Sequence, residues 1–136
     1  IVRETLRLYP PAWVMSRRAA EDVEIGGYTV PAGSNVIVSQ WVTHRDGRFF
    51  PNPQSFDPER WTPDNEQALP KFAYFPFGGG PRVCIGNQFA LMEAAILLAS
   101  VAQRYQITMA SDSTVEPMPS ITLRPANGVH VQLRRR

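Results

Sequence analysis

Phe77-Gly78-Gly79-Gly80-Pro81-Arg82-Val83-Cys84-Ile85-Gly86 decides how the rest of the chain is read. It holds the only cysteine among 136 residues, so neither an intrachain disulfide nor a cage of thiolate ligands can form. Three glycines in a row mark a turn. The run is not a phosphate loop, because no Gly-Lys-Ser/Thr follows it. A thiolate is favoured beside an arginine and at the positive end of a helix. Arg82 stands two residues before Cys84, and an apolar helical segment begins near Asn87. A lone cysteine without such neighbours is usually a small buried hydrophobe.

Downstream, residues 87–104 are apolar almost all round: Phe89, Leu91, Met92, Ile96, Leu97, Leu98 and Val101 are interleaved with alanines. This predicts a long helix buried inside a larger protein. It falls short of an uncharged bilayer span, and Glu93 interrupts it. Strands are expected at 105–109, 121–124 and 129–133, with Asn127-Gly128 as a hairpin turn between the last two.

Upstream, residues 1–9 predict a short helix stopped by Pro10-Pro11. Residues 12–18 should be extended. Val23-Glu24-Ile25 and Tyr28-Thr29-Val30 flank Gly26-Gly27, a two-residue hairpin signal. A turn follows at Pro31-Ala32-Gly33, then a strand at Asn35–Val38 and a short helix over Gln40–Arg45. Residues 46–76 read as an ordered but irregular loop rich in proline and aromatic residues.

Composition sets outer bounds. A hydrophobic fraction of 43% supports a core, and the length suits one domain. Thirteen prolines, concentrated in residues 10–81, favour turns over long elements there. A net charge of +2 gives no strong basic field, so Arg134-Arg135-Arg136 reads as a solvated tail and no nucleic-acid partner is expected. There is no signal peptide, transmembrane run or internal repeat. The chain opens on Ile1-Val2-Arg3-Glu4 and reads as a fragment, so this says nothing about anchoring of the parent.

Four motifs stand in order along the chain: Glu4-Thr5-Leu6-Arg7, Phe56-Asp57-Pro58-Glu59-Arg60-Trp61, the loop ending in Cys84-Ile85-Gly86, and Gln88-Phe89-Ala90-Leu91-Met92-Glu93-Ala94. A lone Glu-x-x-Arg is weak, but the ordered set resembles the C-terminal part of the cytochrome P450 family. Trp61 departs from the family's usual Phe. The resemblance covers all 136 residues. It implies a mixed α and β chain: the C-terminal portion of a mainly helical fold, with short β-hairpins, an irregular meander and a long buried helix. Residues 1–136 would then be the haem-ligand portion of a single domain whose N-terminal portion is absent.

The resemblance also implies roles. Cys84 would be the proximal thiolate ligand of the iron of haem b (iron protoporphyrin IX), and so the catalytic and metal-binding residue. Phe77, Gly78, Ile85, Gly86 and Ala90 would surround the cofactor, with Gly80 and Gly86 allowing close backbone approach. Arg82 and Arg17 would pair with the haem propionates, since guanidinium suits carboxylate; spacing from Glu4 favours Arg17 over Arg18. Glu4, Arg7 and Arg60 resemble the family's buried structural triad. Val14, Met15 and Ile121 are the expected substrate contacts, and His44 is read as structural.

The implied function is a haem-thiolate monooxygenase, an oxidoreductase that inserts one atom of O2 into an apolar small molecule using electrons from a ferredoxin or flavin reductase. The proximal face around Arg82 and Lys71 would receive that partner. Alternatives are a haem-thiolate isomerase or peroxide-driven enzyme, or a truncated chain without catalysis. A bacterial parent would be cytoplasmic; the alternative is a parent with an N-terminal membrane anchor.

Overall fold

Proline has no N–H and disfavours helical backbone in the residue before it, so α1 (Val2–Leu8) stops at Tyr9, one residue before Pro10. The computed structural model of the chain describes residues 1–111 and 114–136. Strand β1 (Met15–Arg18) pairs antiparallel with β4 (Asn35–Val38), register Met15↔Val38 to Arg18↔Asn35. Between them lies the predicted hairpin of β2 (Val23–Ile25) and β3 (Tyr28–Val30). Gly26 and Gly27 have φ of 58° and 84°, the left-handed pair that a tight two-residue turn demands.

Helix α2 (Gln40–Thr43) begins where the Ser39 side chain caps it and ends two residues earlier than expected. The region expected to be irregular does contain regular pieces. Pro58–Arg60 forms a 3-10 turn, and α3 spans Pro63–Ala68. The Thr62 side chain caps α3, Pro63 opens it and Asp64 and Glu66 sit in its first turn. These are terminal signals, without apolar periodicity.

Helix α4 (Asn87–Arg104) runs as predicted and then passes directly into β5 (Tyr105–Met109). As expected of a helix that belongs inside a larger protein, it is left uncovered within this chain. Only α1 and β5 pack on it to any extent among the described residues, and it holds no buried residue. Phe89 and Leu97 are 64% and 58% exposed. The total accessible surface is 10208 Å² for 15.3 kDa; a compact monomer of that mass exposes about 7,100 Å².

The C-terminal pairing also differs from expectation. Strand β6 (Pro117–Pro119) pairs with β7 (Leu123–Pro125), while β8 (Val131–Arg135) pairs with β5 from Tyr105↔Arg135 to Met109↔Val131. Asn127-Gly128 does turn, with Gly128 at φ 74°, but it separates strands that are not partners. A turn residue fixes local reversal only; β8 matches the five-residue β5 better than the three-residue β7. Among the described residues no helix is long and apolar enough to cross a membrane.

The packed centre lies where α1, α2 and the segment at 44–76 meet. Leu8, Phe50, Ala73 and Phe75 are buried there together with Glu4, Arg7, Gln40 and His44. Four polar side chains in so small a core must be satisfied internally or cost stability.

Candidate functional site

The cysteine loop is a closed structure. The Cys84 N–H donates to the Phe77 carbonyl at 2.9 Å, and the Val83 N–H to Gly80 at 3.1 Å. Gly78 and Gly80 take φ of 76° and 68°, where a side chain would be strained. Gly79 is required for another reason: a Cβ there would stand 2.4 Å from the Phe72 ring. Closure leaves Cys84 at the start of α4, whose first turn is fixed by Ala90 N–H to Gly86 at 2.9 Å. The thiol is free and exposed.

Cys84 opens onto a cavity of about 420 Å³. Of the expected cofactor contacts, Phe77, Gly78, Arg82, Ala90 and Arg17 line this same cavity. Gly86 and Ile85 do not, and Ile85 is fully solvent-exposed. Of the expected substrate contacts Met15 is on the cavity wall; Val14 is not, and Ile121 is 98% exposed on the β6–β7 turn. Two other clefts, of about 530 and 460 Å³, adjoin the meander and include none of Cys84, Arg17 and Arg82.

The donor set fits an iron macrocycle with acidic substituents. Arg17 and Arg82 form no ion pair among the described residues, and Arg17 bonds only its neighbour's carbonyl, on Ser16. Two guanidiniums on a largely apolar wall suit an anionic, largely hydrophobic guest. No group of three or more His, Cys, Asp or Glu among the described residues is placed to hold a metal ion. A metal at Cys84 would therefore take its other ligands from the guest.

Behind the cavity, Glu4, Arg7 and Arg60 come together. Arg7 grips Glu4 with two bonds of 2.8 Å, and Arg60 Nε reaches the same carboxylate at 3.1 Å. The Asp57 N–H and the Trp61 indole add bonds of 2.9 and 3.0 Å. The other three Arg7 donations go to the carbonyls of His44, Pro53 and Ser55. Every guanidinium N–H of Arg7 is thus used. Burial opposes ionisation of Glu4, but the bonds from Arg7, Asp57 and Arg60 outweigh it and hold its pKa down at about 2. The cluster clamps the meander onto α1. The family resemblance implied the three charged members; it placed Trp61 in the motif without a role in the cluster, and the backbone partners carry no sequence signal.

His44 takes a structural place. Its Nε2 accepts the Phe75 N–H at 2.9 Å, which requires a neutral ring. Burial, helped by the charges of Arg7 and Arg45, depresses its pKa to about 4. It fastens the strand of chain that leads into the cysteine loop.

The chain is similar to known proteins along nearly its whole length. The family model described as Cytochrome P450 matches residues 1–132. Cyclooctatin synthase of Streptomyces melanosporofaciens is 42% identical over 123 residues, covering 90% of this chain and 27% of that protein. Cyclooctat-9-en-7-ol 5-monooxygenase of the same organism is 41% identical over 123 residues, 90% of this chain and 25% of that one. The crystal structure of the cytochrome P450DA heme domain superposes with a TM-score of 0.91 at 33% identity, over 99% of this chain and 30% of that one. The chain therefore spans about a quarter of these curated relatives.

Proposed function

The chain belongs to the cytochrome P450 family of haem-thiolate monooxygenases, and from that premise we propose that it is the C-terminal, haem-ligand portion of an enzyme that hydroxylates an apolar organic molecule. The observation carrying this is the convergence of Cys84, Arg17, Arg82 and Ala90 on one cavity. Cys84 would ligate the iron of haem b. Arg17 and Arg82 would neutralise its two carboxylates. Ala90 and Ala94, small residues on α4, leave room for a flat ring to lie against the helix. When bound, a thiolate-ligated haem supplies the activation of dioxygen that favours O–O cleavage.

The overall change balances as one C–H bond converted to C–OH, one oxygen atom released as water, and two electrons with two protons consumed. The electrons would come from a ferredoxin or flavin reductase docking on the proximal face, where Lys71 is exposed. Of the three residues expected to meet substrate, Met15 is the one on the cavity wall. The large exposed face of α4 supports the view that further chain covers it in the active protein.

The test is isotopic. Full-length protein supplied with a reductase and an apolar substrate under labelled dioxygen should give product bearing one labelled atom per turnover. Incorporation from labelled water instead would overturn the monooxygenase reading.

A further inference from the structure

Gln40 is buried to 0% exposure, yet neither its amide nitrogen nor its amide oxygen has a partner among the described residues. Its backbone, by contrast, is held firmly. Ser39 caps α2 and donates to the Trp13 carbonyl at 3.0 Å; the Trp41 N–H donates to the same carbonyl at 3.1 Å; and the Gln40 carbonyl accepts the His44 N–H at 2.9 Å. The first turn of α2 is thus pinned to the chain just before β1. Gln40 is among the residues at the wall of the cavity of Cys84, Arg17 and Arg82. An unpaired buried amide is costly, so a glutamine held in this place points to a polar group inside the cavity.

The chemistry of that group follows from its neighbours. Two guanidiniums without carboxylate partners among the described residues line the same space. They select an anion, and the amide N–H of Gln40 is a further donor for it. We propose that Gln40 is a positioning residue for the cofactor: its amide nitrogen donates to a haem carboxylate, directly or through one ordered water, while its carbonyl oxygen accepts from a guanidinium of the same pocket. This rests on the haem reading above. The third contact fixes the orientation of the carboxylate, and through it the seat of the ring over Cys84.

The experiment compares wild type and Gln40→Met in the full-length holoprotein, measuring transfer of haem to an excess of a competing haem-binding protein. It is run with haem and with its dimethyl ester, in which the carboxylates are blocked. Loss of a hydrogen bond to a charged group should speed release of haem about 10- to 100-fold. Release of the ester should change less than about threefold between the two proteins. Equal acceleration for both, or none for either, would overturn the proposal, since a merely structural glutamine does not distinguish them. If Gln40→Met fails to accumulate, Gln40→Asn carries the same comparison with the amide one methylene short. A wild type that shows no thiolate-type spectrum would fault the haem reading itself; a normal wild type with a flat Gln40→Met result faults only this inference.

Discussion

Glu4→Ala is the perturbation whose cost can be worked out most fully. It removes the acceptor of five bonds: two from Arg7, and one each from Arg60, the Asp57 N–H and the Trp61 indole. Arg7 is fully buried and keeps its charge, with only carbonyl partners left. Breaking a buried pair on one side typically costs about 3–5 kcal/mol, a large share of the stability of an ordinary domain. Arg60 retains some solvent contact, so Arg60→Ala should cost less, about 1–3 kcal/mol. The double variant Glu4→Leu with Arg7→Met removes both charges and should recover part of the loss. Urea unfolding of the full-length protein, followed by circular dichroism and haem absorbance, measures all three. A Glu4→Ala cost below about 1 kcal/mol would place the pair among weak surface bridges and refute the reasoning.

Acid should act through two groups. His44 has a folded pKa of about 4 against 6.5; the unfolded chain takes up its proton first, so its contribution is full above pH 6.5 and lost as pH falls through 4. Glu4, at about 2 against 4.5, contributes above pH 4.5 and loses that through 2. At 1.36 kcal/mol per unit each is worth roughly 3 kcal/mol, so the urea midpoint should decline from pH 7 downward; a midpoint constant from pH 7 to 4 contradicts this. Lys71→Glu should slow reduction by an acidic electron donor and flatten its salt dependence; rates indifferent to both charge and ionic strength count against proximal docking. Residues 1–136 expressed alone should self-associate and retain little haem, because the apolar face of α4 is uncovered; a monomeric, haem-loaded, active segment would show that face needs no cover.

Local chemistry made part of the fold legible in the sequence. Gly26-Gly27 produces its hairpin because both positions need left-handed backbone, and Pro10-Pro11 ends α1 because a proline cannot continue it. The triad is legible because Glu4 and Arg7 share one helix face and Arg60 follows in the order the family motifs take. Elements decided by non-local choice are harder to read. Helix α3 rests on a cap and not on periodicity. The partner of β8 depends on which strand lies beside it, which Asn127-Gly128 does not encode. Trp61 and Gln40 are ordinary residue types whose importance lies in where burial puts them: one donating to Glu4, the other at the cavity wall without a partner among the described residues. The exposure of α4 is legible too, because an all-round apolar helix belongs inside a larger protein and this stretch of chain has too few elements to cover it.

The central claim is that Cys84 ligates the iron. The most direct measurement is the absorbance spectrum of the reduced, carbon monoxide-bound full-length protein, wild type against Cys84→Ser. The account predicts the strongly red-shifted Soret band of thiolate ligation in the wild type and its loss in Cys84→Ser. An unchanged red-shifted band in Cys84→Ser would contradict it.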